Sequence, residues 1–180
     1  ISILNNMTNT IAHRGPDHKD IYINEKEKMA FGFQRLSIID LQSSANQPMI
    51  SKNKDWVIVF NGEIYNFEEI RDLLIKKGYQ FETKTDTEVL IKAYHFWGLK
   101  FVEKINGMFA ISILDRGKKK FYLVRDRLGV KPIYWSFKNK KFVFSSEIKI
   151  FKKNFLGKYK ISQEGIYNYF QYGYVPEPHS

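Results

Sequence analysis

From Met108 to Ser145 the apolar residues recur at every second position, and three short turn segments interrupt them. The strands predicted are Met108 to Leu114, Lys120 to Arg125, Ile133 to Phe137 and Lys141 to Ser145, joined by Asp115-Arg116-Gly117, Asp126 to Pro132 and Lys138-Asn139-Lys140. Links this short suit only antiparallel neighbours, so this region is a meander. Upstream, Leu4, Met7 and Ile11 are spaced for one helical face ending before Gly15-Pro16, and Asp20 to Asn24 and Met29 to Gln34 read as strands, with Phe31 and Phe33 on one face. Helical signals lie between the two strand groups. Asn66 is placed as an N-cap, Ile70, Leu73 and Leu74 form an apolar stripe, and Gly78 stops the helix after Lys76-Lys77. Thr85-Asp86-Thr87-Glu88 reads as a capping box, with Val89, Leu90, Ala93, Tyr94 and Trp97 on the buried side and Gly98 at the end. Ser145 to Lys152 and Ser162 to Gln171 complete the helices. This order is α+β rather than alternating βαβ, and two stacked sheets covered by helices fit it.

Between the two strand groups runs Trp56-Val57-Ile58-Val59-Phe60-Asn61-Gly62-Glu63-Ile64-Tyr65-Asn66. The apolar run predicts a buried strand, and Asn-Gly, which readily takes two positive φ angles, predicts a sharp turn at its end. An Asn amide beside an unhindered Gly N–H also offers two donors able to converge on one oxygen, the usual construction of an oxyanion hole. An ordinary turn is the competing reading of this stretch.

The 180 residues are 43% hydrophobic and 16% aromatic, enough for one globular domain with a real core. The formal charge of +10 resides in Lys-rich patches at Lys118-Lys119-Lys120, Lys138 to Lys141 and Lys149 to Lys160. These fall in expected turns and surface and read as a solvated face, not a nucleic-acid site. With no Cys and four scattered His, disulfides and thiolate zinc sites are excluded and no metal site is expected. No apolar run approaches the roughly 20 residues that span a bilayer, so the expectation is a soluble, cytoplasmic protein without membrane contact.

Several scattered residues suit one ligand. Arg35 offers a guanidinium fork for a carboxylate, although a rim residue is the plainer reading. Asp86 and Glu63 offer negative charge to an ammonium, although a carboxylate in a first helical turn is favoured for dipole reasons alone. Asn61 and the Gly62 N–H offer donors to an oxygen that becomes negative. Together they describe glutamine, whose amide bond still requires a nucleophile.

The segments Ala12-His13-Arg14-Gly15-Pro16-Asp17, Arg35-Leu36-Ser37-Ile38-Ile39-Asp40, Asn46-Gln47-Pro48-Met49, Phe60 to Asn66, Thr85-Asp86-Thr87-Glu88-Val89, Gly107-Met108-Phe109-Ala110, Arg125 to Pro132 and Ser145-Ser146-Glu147-Ile148-Lys149 resemble, in order, the blocks of the class II glutamine amidotransferase domain of glutamine-dependent asparagine synthetases. The resemblance covers nearly the whole chain. It implies an N-terminal-nucleophile hydrolase fold, a four-layer αββα sandwich of two antiparallel sheets, truncated at the N-terminus. It also implies that Arg35, Leu36, Ser37, Ile38 and Ile39 line a glutamine pocket, that Asn61 and Gly62 form the oxyanion hole, and that Glu63 and Asp86 hold the α-amino group. Arg14 to Asp17 lie near the site without a chemical step, and His13 is structural.

The family opens on a cysteine whose thiolate attacks glutamine, and this chain has none and begins at Ile1. Ser2 is neither terminal nor preceded by the right strand. The expectation is a glutaminase domain over residues 1–160 lacking its first strand and nucleophile, with 161–180 starting the connection to a synthetase domain. That domain would use ATP and Mg to amidate aspartate with ammonia from glutamine. Glutamine and the synthetase domain are the implied partners, with room for a homodimer. Three rival readings stand beside this one: an amidotransferase with another carboxylate acceptor, a noncatalytic regulatory or assembly module, and a basic nucleic-acid binder.

Overall fold

The computed structural model describes residues 1–37, 40–138, 140–154 and 161–176, without the side chains of 152–154. Ile38 and Ile39, and the expected 160/161 boundary, lie outside the described residues.

Two nine-residue strands form the centre. β4 (Trp56–Ile64) and β5 (Gly107–Asp115) pair antiparallel along their whole length, from Trp56 opposite Asp115 to Ile64 opposite Gly107. β6 (Lys120–Arg125) pairs with β5, and the two-residue β3 (Met49–Ile50) pairs with β4, giving the order β3-β4-β5-β6. Side chains alternate across a strand, so Ile58, Phe60 and Ile64 share one face with Phe109, Ile111 and Ile113. On that face α2 (Phe67–Lys76) and α3 (Asp86–Trp97) contribute Ile70, Leu74, Val89, Leu90, Ala93 and Tyr94 to the main core.

The opposite face carries Val57 and Leu114 and meets Phe31. Phe31 belongs to the hairpin of β1 (His18–Asn24) and β2 (Met29–Arg35), in which Tyr22 pairs with Phe31. A second hairpin, β7 (Tyr134–Lys138) with β8 (Lys141–Ser145), brings Phe144 to the same cluster. The ring centroids of Phe31 and Phe121, and of Phe31 and Phe144, are 6.0 Å apart, so both hairpins dock on the β6 side of the sheet through aromatic contacts. α1 (Ser2–Thr10) packs on β2 and against α4 (Lys149–Asn154). The layers are helix, strand, strand, helix, the expected α+β sandwich. Its second strand layer consists of two separate hairpins among the described residues. α5 (Gln163–Tyr172) follows, capped by the Ser162 hydroxyl.

The expected sharp turn at Asn61-Gly62 does not form. β4 runs through both residues, with Asn61 opposite Ala110 and Gly62 opposite Phe109. A nine-residue ladder outweighs a dipeptide's turn preference, and the chain turns only at Tyr65-Asn66. Gly62 is needed for close approach: a Cβ there would lie 2.1 Å from the Met108 carbonyl oxygen, at φ 157°. Asn66 precedes α2 but does not cap it; its side chain accepts from Asn106 N–H at 2.8 Å and donates to the Lys104 carbonyl at 3.0 Å. Half of the capping box exists. Thr85 Oγ1 accepts from Glu88 N–H at 3.2 Å, while the Glu88 carboxylate accepts instead from Glu82 and Thr83 N–H groups and pairs with Lys92.

The stripe of α2 is also narrower than expected, since Leu74 is fully buried and Leu73 is 41% exposed. Leu74→Ala is expected to cost about 2–5 kcal/mol and Leu73→Ala about 0.5 kcal/mol, measured by urea unfolding. Equal costs would contradict this packing.

Candidate functional site

The site grows from an unpaired strand edge. β3 covers only Val57 and Ile58 of β4, so farther along, the N–H groups on that edge must find other acceptors. Phe60 N–H donates to Gln47 Oε1 at 2.6 Å, and Ile64 N–H donates to Asp86 Oδ2 at 3.3 Å. Backbone groups on one edge recur every second residue, which puts Gly62 N–H between these two bonds. The Asn61 side chain points to the other face of the strand pair, toward the hairpins, and its Nδ2 is buried without a hydrogen-bond partner among the described residues.

Asp86 opens α3 with its side chain 6% exposed. Burial pushes its carboxyl up to about 6, the neighbouring Glu63 carboxylate adds to the rise, and the Ile64, Thr87 and Asp86 N–H groups oppose it. Such a carboxylate lacks a cation. Glu63, one strand position from Gly62, is exposed.

Arg35 ends β2 and is 8% exposed. Its Nη1 donates to the Gln42 carbonyl at 3.1 Å and to Asn46 Oδ1 at 2.7 Å, and its Nη2 donates to the Asp40 carbonyl. Three of its five N–H groups are thus directed into the loop 40–46, which locks the guanidinium plane. Asp40 in turn accepts from Lys84 and Gln42 N–H groups at 3.0 Å, and these bonds hold its carboxyl below the usual range. The backbone of Gly15 lies against Arg35, where a Cβ would stand 2.5 Å from the Arg35 carbonyl carbon. Asp17 N–H donates to the Arg35 carbonyl, and Asp17 Oδ2 accepts from Ser37 N–H at 2.7 Å.

Arg14, Arg35, Leu36, Asn61, Gly62, Glu63 and Asp86 all line one cavity of about 1230 Å³. Residues far apart in the chain therefore share one hollow. Ser37 is fixed by Asp17 outside that lining, and Ile38 and Ile39 lie outside the described residues. The cavity exceeds the roughly 300–1,000 Å³ of ordinary ligand pockets. Its lining includes residues of both β2 and β8, and among the described residues neither strand joins a sheet beyond its own hairpin, Arg35 at the end of β2 making only an isolated bridge to Pro16. His13 Nε2 lies 2.8 Å from Glu147 Oε1, with Arg14 and Lys149 on the same carboxylate. Burial alone would raise the Glu147 carboxyl, but Lys149, Arg14 and His13 hold it below its usual range. His13 thus ties the Arg14 loop to α4, a structural role.

Gln47, Thr87, Asp40 and Asn46 also orient the site, and their residue types alone carry no signal of it. Only the position of Gln47 in the Asn46-Gln47-Pro48-Met49 segment marked it. Among the described residues, no group of three or more His, Cys, Asp or Glu is placed to hold a metal ion, and no helix is long and apolar enough to cross a membrane.

The cavity lining thus combines the Glu63 and Asp86 carboxylates, a locked guanidinium and a buried amide donor with no acceptor among the described residues. These features suit a zwitterionic amino acid with a carbonyl in its side chain. The sequence model of the glutamine amidotransferase domain matches residues 2–180. Asparagine synthetase [glutamine-hydrolyzing] 1 of Bacillus subtilis (strain 168) is 39% identical over 178 residues, 98% of this chain and 27% of that protein. Asparagine synthetase [glutamine-hydrolyzing] 2 of the same organism is 41% identical over 147 residues, 82% of this chain and 19% of that protein. The chain thus spans well under a third of either relative. Among solved structures, the glutamine phosphoribosylpyrophosphate amidotransferase of B. subtilis complexed with ADP and GMP superposes with a TM-score of 0.72 over 84% of this chain and 40% of that one. At 19% identity that likeness establishes the fold.

The folded pKa of Asp86, about 6, lies above the ordinary carboxyl value of 3.8, so the folded state holds the proton more tightly. Its contribution to stability is therefore present below about pH 4 and lost as pH rises through 6. Asp86→Asn escapes this loss. Its stability relative to the native chain is expected to rise by about 2 kcal/mol between pH 4 and pH 7.5, measured by urea unfolding at both. A flat difference would show that Asp86 is not desolvated.

Proposed function

This chain belongs to the glutamine amidotransferase domain family, and on that footing we propose that its cavity binds L-glutamine for hydrolysis of the side-chain amide. The observation that carries this reading is the buried Asn61 Nδ2, without a partner among the described residues, in the same cavity as Arg35 and Asp86. A buried donor without an acceptor is costly, and a site that recognises a carbonyl oxygen is where that cost is recovered. In the proposed pose, Arg35 meets the α-carboxylate and Asp86 with Glu63 meets the α-ammonium. Asn61 Nδ2 and Gly62 N–H meet the side-chain carbonyl oxygen, which becomes negative when a nucleophile adds to its carbon. Leu36 adds to the pocket wall.

The nucleophile is a cysteine thiolate in the family that the sequence resembles, and these 180 residues contain no Cys. We place it on an extended segment outside them, seated between β2 and β8. What supports this is that both strands line the cavity and, among the described residues, join no sheet beyond their own hairpins. In this reading the whole protein passes the released ammonia to a second domain that uses ATP and Mg to amidate aspartate; the relatives' names support the coupling of glutamine hydrolysis to asparagine synthesis.

The chain of 180 residues is expected to bind glutamine and to release no ammonia from it; turnover above background in a glutaminase assay would refute the assignment of the nucleophile. An ionised Asp86 is needed to hold the ammonium. Affinity for glutamine, measured by calorimetry, should therefore rise about tenfold between pH 5 and pH 7, with the midpoint near the carboxyl's value of about 6. A pH-independent affinity would remove Asp86 from the site.

A further inference from the structure

Gln47 is 7% exposed and reaches both elements that carry the polar ends of the cavity. Its Oε1 accepts from Phe60 N–H at 2.6 Å, one residue before Asn61. Its Nε2 donates to Thr87 Oγ1 at 3.1 Å, one residue after Asp86. Thr87 is 3% exposed, so the whole bridge is dry. Neighbouring Asn46 holds the Arg35 guanidinium through Oδ1 at 2.7 Å.

Two links join the β4 edge to α3. One is the contact of Ile64 N–H with Asp86 Oδ2, at 3.3 Å the longer bond and made by the carboxylate itself. A ligand ammonium competes for that carboxylate, and its titration alters the same bond. The second link is the amide of Gln47, which neither titrates nor faces a charge in its two bonds. It is the link that stays constant when the first is modulated.

We propose that Gln47 is a positioning residue that sets the distance between the Asn61 and Gly62 donors on β4 and the Asp86 carboxylate on α3, and so selects the length of the bound amino acid. The inference rests on the glutamine reading above. The separation between α-ammonium and side-chain carbonyl differs by one methylene between glutamine and asparagine. A rigid spacing rejects the shorter ligand, because one pair of polar groups is left unsatisfied whenever the other is made. A spacing that gives way accepts both.

The test measures binding of L-glutamine, L-asparagine and L-norvaline, the last lacking a carboxamide, to the native chain and to variants, by calorimetry at pH 7.5. The native chain is expected to prefer glutamine over asparagine by about tenfold or more, and over norvaline as well. Gln47→Met, of similar length and without hydrogen-bonding groups, should reduce the glutamine-to-asparagine preference to about threefold or less while norvaline binding is unchanged. Thr87→Val, which keeps the bond to Phe60 and removes the one to α3, should do the same and carries the test if Gln47→Met does not fold. Gln47→Glu, which keeps an acceptor for Phe60 N–H and can accept from the Thr87 hydroxyl, should retain most of the preference. A merely structural role would lower the affinities of all three ligands in parallel. That result, or full selectivity in a folded Gln47→Met or Thr87→Val, overturns the inference and leaves the glutamine reading intact. A native chain with no preference for glutamine over norvaline overturns both.

Discussion

β3 stops after two residues, and the rest of the site follows from the hydrogen bonds this leaves unmade on β4. A buried strand edge cannot keep bare N–H groups, so side chains have to reach it. Gln47 and Asp86 do so two turns of the pleat apart, from a loop and from a helix N-terminus. The requirement to satisfy a backbone edge thereby collects a loop, a strand and a helix around Gly62. A fully paired β4 would have an ordinary interior edge and nowhere to put the cavity's polar end.

The opposite wall obeys a different rule. The two hairpins of the second layer are held to the central sheet by Phe31, Phe121, Phe142 and Phe144, and among the described residues they share no ladder with each other. Aromatic packing fixes their positions without closing the gap between β2 and β8, which a continuous ladder would close. Small residues on the facing surface of the sheet, Ala110 and Ser112, deepen that gap. Charge is then supplied locally: the loop 40–46 locks Arg35, and Glu147 gathers His13, Arg14 and Lys149 at the rim. The cavity therefore combines polar groups held by hydrogen bonds with a flank of aromatic rings.

Much of this is legible in the residues. The period-two stretches and their turns place β5 to β8 within a residue or two, and the apolar stripe with Gly98 places α3. Arg35, Asn61, Gly62, Glu63 and Asp86 could be named because a fork, an amide, a bare N–H and two carboxylates are chemically distinctive and lie in segments that resemble a known family. Two readings failed for the same reason. Asn61-Gly62 does not turn and Asn66 does not cap, because a neighbouring strand and the loop at Asn106 claim those groups first. A local preference is worth little beside a ladder of cooperative bonds.

The order of residues settles which groups exist and what periodic surfaces they make: helices with one apolar face, strands with two, and a set of polar side chains suited to an amino acid. It does so because propensity and periodicity act over a few neighbours. Which of those polar groups meet, how far apart they stand and which donor is left without an acceptor are settled by folding. Gln47 shows the reason: its two partners lie 13 and 40 residues away along the chain, and only the packing of α3 on the edge of β4 brings them within reach of one amide.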